Sequence, residues 1–294
     1  MSTPDSFTWQ FTPEPTSVGT DEIDPTFVFD FRSSDDPEDG QRFTTWLSVE
    51  RLCRGPEPRP DWVVTSQAAI DTELGGLKTG KEADVCLLER AVPGDPSQHV
   101  VMAAKRYRGE EHRSFHRSSS YTEGRRTRRS RDARAIAKKS THGRAVAAGQ
   151  WAWAEWEALN RFWSAGVPVP YPVQIDGTEI LMELVQVDGE AAPRLAQTRP
   201  RGRLLASYFD QLREAMGALA RHGVAHGDLS PYNVLAAGDR LVIIDLPQTV
   251  DIIANPAGMD FLMRDCHNVC TWFAARGLEV DEHELFSDLV TEAF

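Results

Sequence analysis

Residues 226–233 read His-Gly-Asp-Leu-Ser-Pro-Tyr-Asn, and shortly afterwards Val242-Ile243-Ile244 leads into Asp245. This pairing constrains the fold more than any other feature of the chain. A tight loop with Asp228 and Asn233 five positions apart lets both side chains face one site, and an apolar strand ending in Asp245 brings a carboxylate to it. Phosphoryl transfer asks little covalent chemistry of a protein. It needs positioned phosphates, metal ions to offset developing charge, and a group that orients the attacking oxygen. Asp228 can accept or orient the acceptor's proton, while Asn233 and Asp245 supply hard oxygen ligands suited to Mg²⁺. The competing reading is a polar turn between strands, with Asp228 and Asn233 as turn residues.

Two weaker signals lie upstream. Gly75-Gly76-Leu77-Lys78-Thr79-Gly80-Lys81-Glu82 separates two strand-like segments. Glycines let backbone N–H groups approach phosphates, although a glycine-bearing hairpin fits as well. The run is not a Walker A loop, because Lys81 is followed by Glu82 and the glycine spacing differs. Lys105 closes the apolar stretch Val100 to Ala104. A lysine there needs an anionic partner, either a nucleotide phosphate or a carboxylate on the next helix. Glu155 is one candidate carboxylate and Glu157, on another face of that helix, is the alternative. A strand-edge ammonium reaching into water is the bland reading.

Patterning orders these segments. Residues 1 to about 40 are rich in Ser, Thr, Pro and Asp and read as disordered. Phe43 to Leu52 is amphipathic and predicts a short helix, and Arg54 to Pro60 reads as a Pro-rich linker. Strands are expected at Val63-Val64, around Leu74, at Ala83 to Leu88 and at Val100 to Tyr107, with a turn at Pro93-Gly94-Asp95-Pro96. Gly109 to Gly149 is polar and too long for an ordinary connection. A helix is predicted over Trp151 to Ala165, with Glu155, Leu159 and Phe162 on one stripe and Gly166 and Pro168 ending it. Ile180 to Val185 predicts a buried strand. A long helix over Leu204 to His222 stops at Gly223. Two short strands meet at Gly238-Asp239, and helices follow from Asp260 to Arg276 and from Asp281 onward. Strands with one helix, then mostly helices, predict a two-lobed α+β fold. The expected divisions are an arm and linker at 1–60, a first lobe at 61–185 containing the 109–149 loop, and a second lobe at 186–294.

The charge is uneven. The net charge is −12, with acidic residues crowding the first forty positions while 113–144 carries many arginines. That asymmetry fits either a polyanion contact or a solvated loop. No run approaches the ~20 apolar residues of a membrane-spanning helix and no secretory pattern opens the chain, so a cytoplasmic protein with no membrane partner is expected. Of the four cysteines, Cys266 and Cys270 are close, at i,i+4. No second pair completes a zinc site, so buried, reduced thiols are expected.

The motifs Thr79-Gly80-Lys81-Glu82-Ala83-Asp84-Val85, Ala104-Lys105, Ala165 to Pro170, Ala192-Pro193-Arg194-Leu195, His226 to Asn233 and Ile244 to Val250 resemble, in order, the RIO atypical protein kinases, nearest their Rio1-type branch. The resemblance runs from about Trp62 to the C-terminus. It implies a minimal two-lobed protein-kinase fold of RIO type, a serine/threonine protein kinase using ATP with Mg²⁺ (or Mn²⁺), and autophosphorylation. It also implies a phosphate loop at Thr79, Gly80, Lys81 and Glu82, a Lys105–Glu155 pair, catalytic Asp228, and metal ligands Asn233 and Asp245. Met182 falls at the gatekeeper position, with backbone groups of Glu183 and Val185 on adenine. Pro231 and Pro247 depart from the pattern, which would have Glu and Ser there.

Three functions follow as expectations. The first is a serine kinase acting mainly on itself, with Ser114, Ser118, Ser119, Ser120 and Ser130 as acceptors. The second is an ATPase switch in small-ribosomal-subunit maturation, with Asp245 as the phosphate acceptor and the Arg-rich loop contacting rRNA. The third is a kinase of small molecules such as aminoglycosides or choline. The Thr-Gly-Lys-Glu run and the compact C-terminal region argue against it.

Overall fold

The computed structural model describes residues 40–108 and 141–294. The arm at 1–39 and the loop reading over 109–140 lie outside the described residues. A sheet of six antiparallel strands leads the chain: β1 (Gln41–Phe43), β2 (Ile70–Thr79), β3 (Ala83–Val92), β4 (Asp95–Tyr107), β5 (Pro172–Asp176) and β6 (Glu179–Glu183). Their order across the sheet is β1-β2-β3-β4-β6-β5. Between β4 and β5 runs helix α1 (Thr141–Ser164).

The two faces of the sheet differ. In antiparallel pairs, directly opposed residues share a face. Val85, Lys105, Ile180 and Ile175 are opposed in turn across four strands. Val85, Ile180 and Ile175 pack in one apolar cluster with Trp156, Leu159 and Phe162 of α1. The other face carries Leu88, Met102, Ala104 and Leu181, which pack with Trp46, Tyr171 and Val173.

Residues 44–62 cover that second face. The Gly55 N–H donates to Val173 O (2.9 Å) and the Tyr171 hydroxyl to Pro56 O (2.9 Å). The 1–60 division therefore extends too far, because its last twenty residues supply a sheet strand and a packed cover. Phe43 to Leu52 forms no helix. It holds the end of β1, a turn and the start of a 3-10 turn at Arg51–Cys53. Trp46 anchors it in the outer core. Val63-Val64 forms no strand either, as no neighbouring strand pairs with it. Helix α1 begins ten residues before the expected start. Arg144 to Ala148 joins it because alanine carries the strongest helix preference, which the polar neighbourhood masked.

Beyond β6 the chain turns mostly helical. Strands β7 (Gln186–Val187) and β8 (Glu190–Ala191) form a small hairpin, and a 3-10 turn at Leu195–Gln197 follows. Helix α2 (Gly202–Arg221) buries Leu205, Tyr208, Leu212, Met216 and Leu219 at helical spacing. It ends before Gly223, whose φ of +72° suits glycine. Next come β9 (Val224–Ala225), β10 (Val234–Ala237), β11 (Arg240–Ile243) and β12 (Val250–Asp251), then α3 (Gly258–Ala274) and α4 (Glu282–Ala293). Strands β10 and β11 form the expected hairpin. Cys266 and Cys270 are free and buried, and burial pushes their thiols up to about 12 and about 11. No helix among the described residues is long and apolar enough to cross a membrane.

Candidate active site

The loop from His226 to Asn233 connects β9 to β10, and Asp245 lies just past β11. Hairpin pairing of Val234 with Ile243 sets the two beside each other, and the Ile244 N–H donates to Asn233 O (2.9 Å). The loop is held from within. Asn233 Nδ2 donates to Asp228 O (2.9 Å), which fixes the amide plane and leaves Oδ1 available to a ligand. His226 is buried between Ile244 O (3.1 Å from Nε2) and the Asp228 N–H (3.3 Å from Nδ1), contacts that place its proton on Nε2.

Support from below comes from a residue that sequence reasoning missed. Asp265 of α3 is buried and accepts the Gly227 and Leu229 N–H groups at 2.7 and 2.8 Å. Burial pushes its carboxyl up to about 6, against the pull of His226 and those two donors. Asn268 Nδ2 adds a bond to Leu229 O (3.0 Å), and Arg264 donates to Gly227 O. An acidic residue amid Phe261, Leu262 and Cys266 was the available signal, since a buried carboxylate requires partners.

Opposite the loop stands Lys105. Its Nζ lies 2.7 Å from Glu155 Oε1 and 2.8 Å from Asp245 Oδ1. Glu155 is buried, and its other oxygen accepts the Tyr107 hydroxyl at 2.5 Å. Glu157 is exposed and takes no part. Burial alone would lower the Lys105 ammonium, but the Asp245 and Glu155 carboxylates outweigh it and hold the ammonium well above the ordinary lysine range. Lys105 in turn holds the Asp245 carboxyl below its usual range. Asp245 has a φ of +68°, a left-handed conformation that Asp tolerates better than most residues. Its side chain is about half exposed, at 47%.

The remaining expected residues are distributed around this centre. Thr79 ends β2, and Gly80, Lys81 and Glu82 form the turn into β3. A Cβ on Gly80 would lie 2.8 Å from Ala83 O, so the turn needs glycine. Met182 is buried at the end of β6 and faces Ala103. The Glu183 N–H donates to Tyr171 O, and Val185 O accepts the Ala192 N–H, both at 2.9 Å. Among the described residues the Val185 N–H meets no protein acceptor, which leaves it available to a planar base. Pro231 keeps the loop closed, its carbonyl taking the Ala196 N–H at 2.9 Å. Pro247 is buried next to Leu246.

For a divalent cation, the loop offers the Asn233 amide oxygen and the neighbouring Asp245, next to Ile244, offers a carboxylate. No cluster of three or more His, Cys, Asp or Glu side chains forms among the described residues. Such a sparse hard-oxygen set fits a cation that keeps waters and takes phosphate oxygens, as Mg²⁺ does. A groove of about 1490 Å³ lies elsewhere, between residues 51–59 and the outer side of α1, so chemistry identifies the site better than size.

A strand-rich lobe with one long helix, a mostly helical lobe and this lysine–carboxylate cleft define a protein-kinase-like fold. The RIO domain family model matches residues 97–285. The RIO-type serine/threonine-protein kinase Rio1 of Haloferax volcanii is 36% identical over 74% of this chain and 68% of its own length. The serine/threonine-protein kinase RIO1 of Saccharomyces cerevisiae is 31% identical over 48% of this chain and 30% of its own length. The crystal structure of the Rio2 kinase from Chaetomium thermophilum superposes with a TM-score of 0.54 at 22% identity, over 75% of this chain and 63% of that one. The chain belongs to the RIO family.

Proposed function

We propose that this cleft makes the chain a RIO-type serine/threonine protein kinase that transfers the terminal phosphate of ATP to a protein hydroxyl, with the chain itself among its substrates. The observation that carries the reading is the bridge that Lys105 makes from Glu155 on the sheet side to Asp245 on the loop side, with Asp245 following Ile244, which is bonded to Asn233 of the loop that also holds Asp228. Lys105, oriented by Glu155, binds nucleotide phosphates. The turn Thr79, Gly80, Lys81 and Glu82 covers them, and Met182, Glu183 and Val185 border the base. Asn233 Oδ1 and Asp245 would hold Mg²⁺ (or Mn²⁺). When bound, the cation offsets charge on the phosphates. Asp228 orients the acceptor hydroxyl and takes its proton as the oxygen bonds to phosphorus and the bond to the ADP oxygen breaks. The lobes divide after Val185, into 61–185 and 186–294, with residues 41–60 added to the first.

A second reading draws support from the exposure of Asp245, whose Oδ2 is not taken by Lys105. Here the carboxylate itself accepts the phosphoryl group and hydrolysis resets an ATPase switch on the small ribosomal subunit, with rRNA reached through the Arg-rich segment. The family relationship to protein kinases weighs against the small-molecule reading.

Labelled ATP separates the first two. Acid-stable, base-labile label that disappears with Asp228→Ala, about a 10³-fold loss or more, is the expected result. Abundant free phosphate with acid-labile label, abolished by Asp245→Ala, would favour the switch. Retained transfer in Asp228→Ala would overturn the assignment.

A further inference from the structure

Lys78 stands outside the set just described but on the same side of the sheet. In the strand register Lys78 opposes Val85, and Val85 opposes Lys105. The two lysines therefore project to one face, two strands or roughly 10 Å apart. On that face Lys105 meets Asp245, so Lys78 overhangs the mouth of the same cleft.

Arg194 approaches from the opposite lobe. Its backbone bridges to Leu235 and its N–H donates to Gln197 Oε1 (2.9 Å). The guanidinium donates to the carbonyl of Tyr232, the neighbour of Asn233, which places it beside the 226–233 loop. Among the described residues neither Lys78 nor Arg194 forms an ion pair with a carboxylate. Their electrostatic neighbours overlap. After burial, Arg194 is the strongest influence lowering the Lys78 ammonium, with Asp245 opposing it. Asp245 is likewise the carboxylate that opposes the burial of Arg194. Two cations from two lobes thus lie within electrostatic reach of one carboxylate already bonded to Lys105, and Glu155 is committed to that same lysine. The arrangement has room for further negative charge.

We propose that Lys78 and Arg194 form a pincer on the terminal phosphate of the nucleotide, Lys78 from the sheet and Arg194 from beside the catalytic loop. The inference rests on the reading of the cleft as an ATP site. Lys105 faces the inner phosphates, as the strand lysine does in protein kinases, so the pincer acts on the group that is transferred. Arginine suits that place because its planar fork matches phosphate oxygens. Lys78 acts as a point charge whose stem lies along the strand. Both residues also discriminate ATP from ADP, because ADP has no group that reaches them.

The test is equilibrium binding of ATP, ADP and AMP in the presence of Mg²⁺ to the wild-type chain, Lys78→Met, Arg194→Met and the conservative Lys78→Arg. Each methionine variant is expected to lose about tenfold in ATP affinity, the loss of one charge-assisted contact, with ADP affinity within about twofold of wild type. Lys78→Arg should restore ATP binding. Equal losses for ATP and ADP would overturn the pincer, as would unchanged ATP affinity with a raised KM for the protein acceptor. A wild-type chain that binds ADP and ATP equally also overturns it while leaving the kinase reading standing. A wild-type chain that binds no nucleotide overturns the kinase reading and the pincer together.

Discussion

One β-sheet carries two charged networks, one on each face. On the outer face Arg90 is fully buried. It donates through Nε (2.6 Å) and one terminal nitrogen (2.9 Å) to the two oxygens of Asp71, and through the other nitrogen (3.0 Å) to Gln174. Gln174 passes its own amide to Thr45 (2.8 Å). On the cleft face Lys105 joins Glu155 and Asp245, but Asp245 is half exposed and one of its oxygens is free of Lys105. Both networks contain a cation between carboxyl or amide oxygens, and both sit on strands that a pattern of apolar residues would define. The outer set is closed, with its polar atoms spent inside the protein, so it can only hold the fold together. The cleft set is open, and under the proposed function its free capacity is what phosphate and metal would take. Incomplete satisfaction marks a working site more surely than charge does.

The sharpest way to break the comparison is to cut both networks by the same chemistry. Arg90→Met leaves Asp71 buried without its main partner, and removing one member of a buried pair costs about 3–5 kcal/mol. For a chain of this size the melting temperature should fall by roughly 10 °C or more. Phosphate transfer per folded molecule should stay within about twofold at low temperature, because no member of the outer set reaches the cleft. Thermal melts and single-turnover labelling measure the two quantities. A small shift in melting with a large loss of transfer would reverse the assignment of structural and functional networks.

Lys105→Met should behave in the opposite way. It strands Glu155 with only the Tyr107 hydroxyl, at a cost of about 2 kcal/mol, less than for Arg90 because that hydroxyl still serves the carboxylate. Transfer should fall about 10²-fold or more, since a preorganised positive charge at the phosphates is lost. The double variant Lys105→Met, Glu155→Gln should recover most of the stability and none of the transfer. Recovery of both would make the pair a packing device.

How far the sequence could lead to this picture depended on range. The loop from His226 to Asn233 was legible because its residues lie within eight positions and the pairing strand follows at once. Helices α2, α3 and α4 were legible from apolar periodicity, with their ends set by turn residues such as Gly223. The outer network was not. Asp71, Arg90 and Gln174 are 19 and 84 positions apart, and an arginine in a strand looks like a surface residue until its partners are known. Residues 41–60 were hidden for a related reason. Pro-rich composition suggests a linker, whereas Trp46 packs with Tyr171 and Val173 and the Gly55 N–H bonds to Val173, more than a hundred residues later. Lys78 lay inside a quoted motif, yet only the register revealed which face it takes.

Asp265 offers the finest test, because it is a buried carboxylate that is closed, like the outer network, but serves the site. Its folded-state value of about 6 lies above the ordinary 3.8. Between those values the folded chain binds a proton that the unfolded chain has released. The contribution of this group is therefore fully present below about pH 3.8 and is lost as pH rises through 6. From pH 7 to pH 5 the wild type should gain about 1 kcal/mol relative to Asp265→Asn. The absolute stability of the variant should be lower throughout, since one amide oxygen replaces two acceptors for Gly227 and Leu229. Denaturant melts of both proteins at pH 5, 6 and 7 measure the difference. A difference independent of pH would mean that the two backbone donors and His226 outweigh burial and keep the carboxylate charged. Asp265 would then join the cleft as a further fixed negative charge, and the contrast between closed and open networks would stop at the sheet.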